Sequence, residues 1–321
     1  MRFDRHLLRE SAFLVGPTAA GKSDLALALA RSLRSAGRPV EIVALDSMTL
    51  YRHLDIGTAK PTPADRADFP HHLLDLVDPS EEFTVATYVA AAEVAVRGIL
   101  DRGALPLFVG GSGLYLRTLL RGLFDGPEAD WDLRRRLDET ARSEGPEAFH
   151  ARLAAVDPPT AARLHPNDLR RIIRALEVHE LTGKPLSDWH QEQPLPPEER
   201  PRLLVWLDPD RDWLADRIDR RVDAMLAAGL VDETRSVRDR IGFGRTASQS
   251  LGYAEVLAHL GRAMSLDDCR DAIQTHTRQF AKRQCTWFRN LEELQPLPLT
   301  AQSSLTTLLD QLLALAQRQP S

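Results

Sequence analysis

Residues 16–23 carry the feature that most constrains what this chain can fold into. They read GPTAAGKS and match G-x-x-x-x-G-K-[ST], the pattern of a phosphate-binding loop. The apolar residues 13–15 precede the loop, as a buried strand would, and residues 25–33 follow it as a leucine- and alanine-rich, helix-forming stretch. The pattern therefore predicts a strand, a loop and a helix, in that order. The candidate phosphate-binding residues are Gly16, Pro17, Thr18, Ala19, Ala20, Gly21, Lys22 and Ser23.

The chemistry of such a loop comes mainly from its backbone. Successive N–H groups from Thr18 to Ser23 can surround phosphate oxygens, and the positive end of the following helix faces the same oxygens. Gly16 and Gly21 permit conformations and a close approach that a side chain would block. Lys22 would supply a mobile positive charge, and the Ser23 hydroxyl would face a phosphate or its Mg²⁺ ion. The pattern indicates a phosphate or pyrophosphate ligand and does not by itself identify ATP.

The composition narrows the class of protein. Of the 321 residues, 43% are hydrophobic, which is enough for a substantial core and for two domains. The formal net charge is -5, so any nucleic-acid partner must be bound by local basic clusters. The two cysteines, Cys269 and Cys285, predict neither a four-cysteine zinc site nor a disulfide framework. The N-terminus lacks a signal-peptide core and no apolar run is long enough to span a membrane, so we expect a cytoplasmic protein with no membrane partner.

The first part of the chain alternates between short apolar runs and helix-forming stretches. Residues 40–45 and 105–109 read as buried strands, and residues 84–102 read as a helix between them. This alternation predicts a parallel sheet with crossover helices. The block DSMTLY (46–51) follows the first of these strands, and GGSGLY (110–115) follows the second. Because parallel sheets bind ligands at the carboxyl ends of their strands, we expect Asp46 to lie beside the phosphate loop.

The pattern changes at Pro127. From there to His190 no strong strand is predicted, and helices are predicted at 133–141, 146–156 and 167–181. The expected fold class is α/β, with a P-loop-type parallel sheet core flanked by helices and a smaller all-helical insertion domain. The core would comprise residues 1–126 and 191–321, and the insertion residues 127–190.

The second half of the core is predicted to return to one strand, at 203–207, and then to helices. Asp210 is the expected N-cap of a helix that ends at Gly229. Ser265 and Asp268 predict a capping-box start for a helix that runs to about residue 290. That helix carries a basic stripe roughly opposite its apolar face, formed by Arg278, Lys282 and Arg289.

Several blocks together resemble the bacterial tRNA dimethylallyltransferases, also called tRNA isopentenyltransferases. They follow the family's order from residue 11 to about residue 290: GPTAAGKS (16–23), DSMTLY (46–51), DIGTAKP (55–61), HHLLD (71–75), GGSGLYL (110–116), HPND with RRIIRALEV (165–178), SQSLGYAE (248–255) and TRQFAKRQCTWFR (277–289). A phosphate loop alone is shared by many families, whereas this combination is specific.

The resemblance implies transfer of a dimethylallyl group from dimethylallyl pyrophosphate to the exocyclic N6 amine of adenosine 37 in tRNA, just 3′ of the anticodon. It implies that the phosphate loop holds pyrophosphate and that the base is flipped into a channel through the core. Asp46 matches the family's proposed general base, which takes a proton from the amine. Ser112 matches a channel threonine. From the sequence alone, Asp46 could instead be a strand-end cap or a Mg²⁺ ligand.

The implied partners are dimethylallyl pyrophosphate, the tRNA anticodon stem-loop and Mg²⁺. The ion would be held through the Ser23 hydroxyl. The protein is expected to be a monomer. The positions that match tRNA-contacting residues are Asp46, Ser47, Met48, Thr49, Ser112, Arg134, Arg170, Arg171, Arg174, Arg278, Lys282 and Arg283. We expect the insertion and the helix around Arg278–Arg289 to hold the stem-loop through its phosphates. Each arginine alone could equally be a solvated surface charge. Gln249 stands where some members carry a pyrophosphate-contacting arginine, and glutamine brings no charge.

Three other functions are compatible with parts of the sequence. An adenylate isopentenyltransferase, which acts on free AMP, would not need an arginine-bearing insertion. A P-loop small-molecule kinase would account for the phosphate loop but not for the DSMTLY and GGSGLY blocks. A non-catalytic RNA-binding protein fits neither the net acidity nor the intact phosphate loop. Prenyl transfer to tRNA rather than to AMP distinguishes the first of these.

Overall fold

The structure, a computed structural model, describes residues 2–123, 126–189 and 194–318. The chain divides into two compact units. The sheet unit comprises Arg2–Arg121 and Pro194–Ser321, and the helical unit comprises Gly122–Gln193.

Six parallel strands form the centre of the sheet unit. They are β1 (Ala12–Val15), β2 (Val40–Leu45), β3 (His71–His72), β4 (Leu105–Gly110), β5 (Leu203–Pro209) and β6 (Gln295–Leu299). Their order in the sheet is β3-β2-β4-β1-β5-β6, and every neighbouring pair is parallel. The predicted α/β fold class with a parallel sheet is therefore confirmed. Because all strands run the same way, their carboxyl ends share one edge of the sheet.

The central strands are apolar on both faces because helices cover both. All four residues of β1 are buried, with Phe13 and Val15 in the core on one face and Ala12 and Leu14 in the core on the other. Phe13 also stacks on Phe108 of β4, with ring centroids 4.5 Å apart. Full burial of one such side chain contributes about 1.5–3 kcal/mol. This packing fixes the strand ends that carry the ligand-binding loops.

The helices, in chain order, are α1 (Arg5–Arg9), α2 (Lys22–Ser35), α3 (Pro63–Asp68), α4 (Val85–Asp101), α5 (Gly113–Arg121), α6 (Trp131–Glu144), α7 (Pro146–Val156), α8 (Pro158–Ala161), α9 (Leu169–Thr182), α10 (Leu186–Trp189), α11 (Arg211–Ala227), α12 (Leu230–Arg240), α13 (Arg245–Ser248), α14 (Tyr253–Leu260), α15 (Leu266–Arg289) and α16 (Leu305–Arg318). A 3₁₀ turn, Pro197–Glu199, precedes β5. Two predicted caps are confirmed: the Asp210 side chain accepts N–H groups at the start of α11, and Ser265 and Asp268 form the capping box of α15.

Two features of the sheet unit differ from the sequence expectation. β6 was not predicted because Pro296 and Pro298 interrupt the apolar pattern, and proline cannot donate to a sheet ladder. The structure accommodates them at an edge of the sheet, where β6 pairs with β5 and with no other strand of the described residues. The helix expected to run up to Gly229 ends at Ala227, and Gly229, with φ 102°, is the N-cap of α12. This left-handed conformation favours glycine.

The helical unit consists of α6 to α10 and has an apolar core of its own. Leu137 from α6, Phe149 and Leu153 from α7, and Ile172 and Leu176 from α9 are buried together. The three helices predicted here are observed as α6, α7 and α9.

None of the helices in the described parts of the chain combines the length and the apolar character that crossing a membrane requires.

Candidate active site

The loop between β1 and α2 has the curled backbone of an anion-binding site. Ala19 and Gly21 have positive φ angles of 63° and 84°. Gly21 is the N-cap of α2 and offers no side-chain cap, so the first N–H groups of that helix remain open to a ligand. Gly16 is required for space, because a Cβ there would lie 3.1 Å from Cβ of Leu207.

Some N–H groups of this loop already have protein partners. The N–H of Thr18 donates to Oε1 of Gln284, on α15, at 2.9 Å. The N–H of Ala20 donates to the Pro17 carbonyl at 3.3 Å. The phosphate cradle predicted from Thr18 onward is therefore shorter in this structure, and it depends more on Ala19 and on the start of α2.

Lys22 folds back over the loop. Its Nζ donates to the Pro17 carbonyl at 2.7 Å. The pKa of Lys22 is lowered to about 8, first by burial and then by the positive charge of Arg221, while Asp46 and Cys285 act in the opposite direction. Lys22 and Asp46 thus lie within electrostatic reach of each other. A bound anion would stabilise the ammonium form of Lys22.

Two arginines of α11, which the sequence analysis missed, belong to the same centre. Nε of Arg217 donates to the Ala19 carbonyl at 2.8 Å, and its guanidinium lies 4.8 Å over the ring of Trp213. The pKa of Arg221 is lowered, mainly because the residue is buried. The negative charge of Asp46 opposes this shift, and the positive charge of Arg217 adds to it. A signal was present in the sequence: the two arginines are four residues apart on the helix that follows a predicted strand of the ligand edge.

The predicted catalytic residues Asp46 and Ser112 sit on loops that are bonded to each other at the ends of β2 and β4. Oδ1 of Asp46 accepts the N–H of Met48 at 2.8 Å, which turns the chain sharply after β2. The N–H of Ser47 donates to Oγ of Ser112 at 3.0 Å. The N–H of Ser112 donates to the Leu45 carbonyl at 3.2 Å. The backbone therefore holds the carboxylate and the hydroxyl at one place on the sheet edge.

Buried aromatic rings lie near Asp46. Tyr88 and Tyr115 stack with ring centroids 4.1 Å apart. Burial raises the pKa of both hydroxyls, and the charge of Asp46 adds to the rise. The hydroxyl of Thr49, which was predicted to contact tRNA, is buried and has no hydrogen-bond partner among the described residues, whereas the Tyr88 hydroxyl donates to the Ala44 carbonyl at 2.8 Å. Buried rings beside an unpaired hydroxyl suit a ligand that is apolar on one side and polar on another.

Arg134 and Arg174, both predicted to contact tRNA, are bound to one carboxylate inside the helical unit. Nε and Nη2 of Arg134 donate to the two carboxylate oxygens of Glu177, each at 2.9 Å, and Arg174 donates to Oε2. The N–H of Asp130 donates to the same carboxylate at 2.8 Å. The Glu177 side chain is 0% exposed, whereas those of Arg134 and Arg174 are 26% and 27% exposed. These contacts favour a structural role for both arginines.

Glu177 is ionised in this arrangement. Burial raises the pKa of Glu177, but the hydrogen bonds from Arg134 and Arg174 outweigh burial, so the pKa is lowered from its ordinary value. The carboxylate therefore carries a negative charge in the core of the helical unit, and the two arginines compensate it.

The remaining predicted tRNA contacts are more exposed. In the helical unit, Arg170 and Arg171 lie exposed in the first turn of α9, and Arg171 pairs with an aspartate at 3.3 Å. In the sheet unit, Lys282 and Arg283 are exposed on α15, whereas Arg278 forms an ion pair with an aspartate of α11. Exposed cations that are not held in buried pairs are the better candidates for phosphate contacts.

The chain is similar to known proteins over most of its length. A sequence model of the family described as IPP transferase matches residues 49–291. The chain belongs to the IPP transferase family. The tRNA dimethylallyltransferase of Syntrophobacter fumaroxidans is 47% identical over 278 residues, which cover 86% of this chain and 80% of the relative. The corresponding protein of Geobacter sulfurreducens is 48% identical over 276 residues, which cover 85% of this chain and 87% of the relative.

Solved structures of IPP transferases share the fold. The full-length tRNA isopentenylpyrophosphate transferase of Bacillus halodurans is 36% identical, with a TM-score of 0.69, and the match covers 97% of this chain and 98% of that chain. A eukaryotic dimethylallyltransferase acting on tRNA is 29% identical, with a TM-score of 0.74, and the match covers 94% of this chain and 76% of that chain.

The family predicted from the sequence blocks is thus confirmed. A free-AMP acceptor and a small-molecule kinase are not favoured, since these relatives are named for prenyl transfer involving tRNA. The family match begins at residue 49, so the phosphate loop and Asp46 precede it. Gln249 is the exposed C-cap residue of α13.

Proposed function

We propose that the protein is a tRNA dimethylallyltransferase. It transfers the dimethylallyl group of dimethylallyl pyrophosphate to the N6 amine of adenosine 37 in tRNA, and pyrophosphate leaves. The observation that carries the proposal is that the phosphate loop follows β1 and Asp46 follows β2, two strands of one parallel sheet whose carboxyl ends share an edge. This placement combines an anion site with a base at one edge of the sheet, which is what the attack of an amine on a prenyl pyrophosphate requires.

The donor half of the site binds the pyrophosphate. The backbone around Ala19 and the N-terminus of α2 offer N–H groups to its oxygens, and Lys22, Arg217 and Arg221 offer positive charge. When the bond between the allylic carbon and oxygen breaks, its electron pair goes to the pyrophosphate. Cations already held in place stabilise that developing charge without further reorganisation.

The acceptor half of the site provides the base. The lone pair of the adenine amine forms the new C–N bond, and the Asp46 carboxylate accepts the proton that the nitrogen loses. Ser112 and the segment Ser47, Met48 and Thr49 would position the adenine, since the Ser47–Ser112 hydrogen bond joins their loops. The rings of Tyr88 and Tyr115 provide an apolar surface near the reacting groups.

A Mg²⁺ ion fits this centre as a partner of the donor. The Ser23 hydroxyl lies exposed in the first turn of α2, beside the proposed pyrophosphate position. Mg²⁺ usually takes one or two protein ligands and completes its shell with phosphate oxygens and water, so a single hydroxyl is sufficient. The ion would neutralise pyrophosphate charge, and the proton transfer to Asp46 does not depend on it.

The exposed cations Arg170 and Arg171 of the helical unit, and Lys282 and Arg283 of the sheet unit, are the proposed contacts to phosphates of the anticodon stem-loop. All reacting groups proposed here come from one chain, so we propose a monomer as the working unit. The proposed location is the cytoplasm, where tRNA is available.

Mass spectrometry of tRNA nucleosides tests the function. Purified protein, dimethylallyl pyrophosphate and Mg²⁺ are incubated with unmodified tRNA, with AMP present as a competing acceptor. N6-(dimethylallyl)adenosine should form at position 37 of the tRNA, and AMP should stay unmodified. Modification of AMP alone, or consumption of the donor without any prenylated adenosine, would contradict the proposal.

A further inference from the structure

Gln284 on α15 joins the phosphate loop to the loop after β4. Its Oε1 accepts the N–H of Thr18 at 2.9 Å, and its Nε2 donates to the carbonyl of Gly111 at 2.8 Å. The residue is 7% exposed. A buried carboxamide whose two ends are both satisfied by backbone groups of distant segments is a bridge between those segments.

The chemistry of the bridge requires glutamine. Thr18 presents a donor and Gly111 presents an acceptor, so the side chain between them must accept at one end and donate at the other. A glutamate carboxylate would set an oxygen against the Gly111 carbonyl. Methionine has a similar length and volume, but it can satisfy neither group.

The bridge also explains the glycine opposite. A Cβ at Gly111 would lie 2.5 Å from Nε2 of Gln284 and 3.1 Å from the carbonyl oxygen of Gly16. Both distances are shorter than side-chain contacts normally are, so a residue with a side chain at 111 would displace the carboxamide. Glycine is needed here because the phosphate loop and Gln284 approach the backbone closely.

The bridge continues to the proposed base. Ser112 follows Gly111 directly, its hydroxyl accepts the N–H of Ser47, and Ser47 follows Asp46. The donor loop, Gln284, the loop after β4 and the loop after β2 therefore form one hydrogen-bonded series. Through it, the position of the phosphate loop is linked to the position of the Asp46 carboxylate.

We infer that Gln284 is a positioning residue that aligns the donor half of the site with the acceptor half. This inference rests on the proposed function. Both ends of the Gln284 carboxamide bond to backbone groups, so it does not touch the reacting atoms. Its effect should therefore fall on the transfer step and leave the binding of each substrate alone nearly unchanged, because each half keeps its own ligand-binding groups.

Steady-state kinetics of the Gln284→Met variant test this inference. We expect kcat to fall by about 10²-fold, the loss typical of a displacement of about 1 Å between reacting groups. The dissociation constants for pyrophosphate alone and for tRNA alone should change by less than about 3-fold. The matched control is Gln274→Met on the same helix, where the carboxamide bonds to Asp223 at 3.2 Å on α11. That variant should keep the wild-type kcat.

A second variant breaks the same bridge from its other end. Gly111→Ala should lower kcat to a similar extent, and combining it with Gln284→Met should add little, because two changes that remove one interaction are not additive. A wild-type kcat for Gln284→Met, a multiplicative loss in the double variant, or an equal loss in Gln274→Met would each overturn the inference. Loss of pyrophosphate binding by Gln284→Met would also overturn it, since Gln284 would then be part of the donor site.

The proposed function can fail separately from this inference. If the wild-type protein forms no prenylated tRNA, the function itself is wrong. If the wild type is active and Gln284→Met is equally active, only the positioning role is wrong. Circular dichroism melting of each variant verifies that the kinetics are measured on folded protein.

Discussion

Replacement of Arg134 and Arg174 together is the most informative perturbation of the helical unit. In the wild type, the buried Glu177 carboxylate accepts bonds from both guanidinium groups and from the N–H of Asp130. The double variant Arg134→Met/Arg174→Met keeps two long apolar side chains but leaves the carboxylate with one backbone donor. The expected result is a large loss of stability in the helical unit.

The magnitude follows from the burial of Glu177, whose side chain is 0% exposed. Removing the partners of a buried charge costs about 3–5 kcal/mol, because an uncompensated charge remains shielded from solvent. For a unit of this size, each kcal/mol lowers the unfolding midpoint by about 4–8 °C. We therefore expect the midpoint of the helical unit to fall by at least about 12 °C, measured by hydrogen exchange or limited proteolysis during a thermal ramp.

A triple variant separates loss of charge compensation from loss of packing. Adding Glu177→Met to the double variant removes the uncompensated carboxylate, and apolar replacement of a whole buried ionic cluster is often neutral or stabilising. The triple variant should therefore be more stable than the double variant. A triple variant that is no more stable would mean that the double variant fails through packing instead.

The matched control replaces Arg170 and Arg171. This change also removes two positive charges from the helical unit, but from the exposed first turn of α9. Arg170→Met/Arg171→Met should change stability by no more than about 0.5 kcal/mol. It should weaken tRNA binding and flatten its salt dependence by up to about one unit per lost phosphate contact. The reasoning is refuted if Arg134→Met/Arg174→Met melts like the wild type. If that variant is stable but loses the salt dependence, these two arginines contact tRNA after all.

Three further predictions concern the proposed reaction and the buried carboxylate. Asp46→Ala should lower kcat by a factor of about 10²–10⁴, which is the usual contribution of a general base, and tRNA binding should be retained. Near-normal turnover of this variant would show that Asp46 is not the base. Lys22→Ala should raise the KM for dimethylallyl pyrophosphate and slow turnover, with tRNA affinity unchanged in filter binding without the donor; unaltered kinetics at limiting donor would contradict the assignment. Because the pKa of Glu177 is lower in the folded than in the unfolded protein, its stabilising effect is complete above the unfolded value of about 4.3 and is lost as the pH falls through the folded value. Urea unfolding of the helical unit should show this loss below about pH 4, and the triple variant should lack it.

Local features of the chain could be predicted from the sequence because their causes lie within a few residues. The phosphate loop follows from two glycines and a lysine between an apolar strand and a helix-forming stretch. The caps at Asp210 and Ser265 bond to N–H groups two or three residues away. The alternation of apolar runs and helix-forming stretches was sufficient to predict a parallel sheet, because strands buried on both faces appear in the sequence as continuous apolar segments. Asp46 was expected at the ligand edge because it directly follows such a strand, whereas Ser112 was proposed from the family resemblance.

Tertiary structure alone decided which charged and polar side chains belong to the site. Arginines that look alike in the sequence differ in what surrounds them: Arg134 and Arg174 compensate a buried carboxylate, whereas Arg217 bonds to the phosphate loop. Gln284 bonds to a backbone group 266 residues away, and no local pattern predicts that contact. Burial and partner geometry determine the role of a polar group, and both depend on contacts between distant segments that form only when the core has packed.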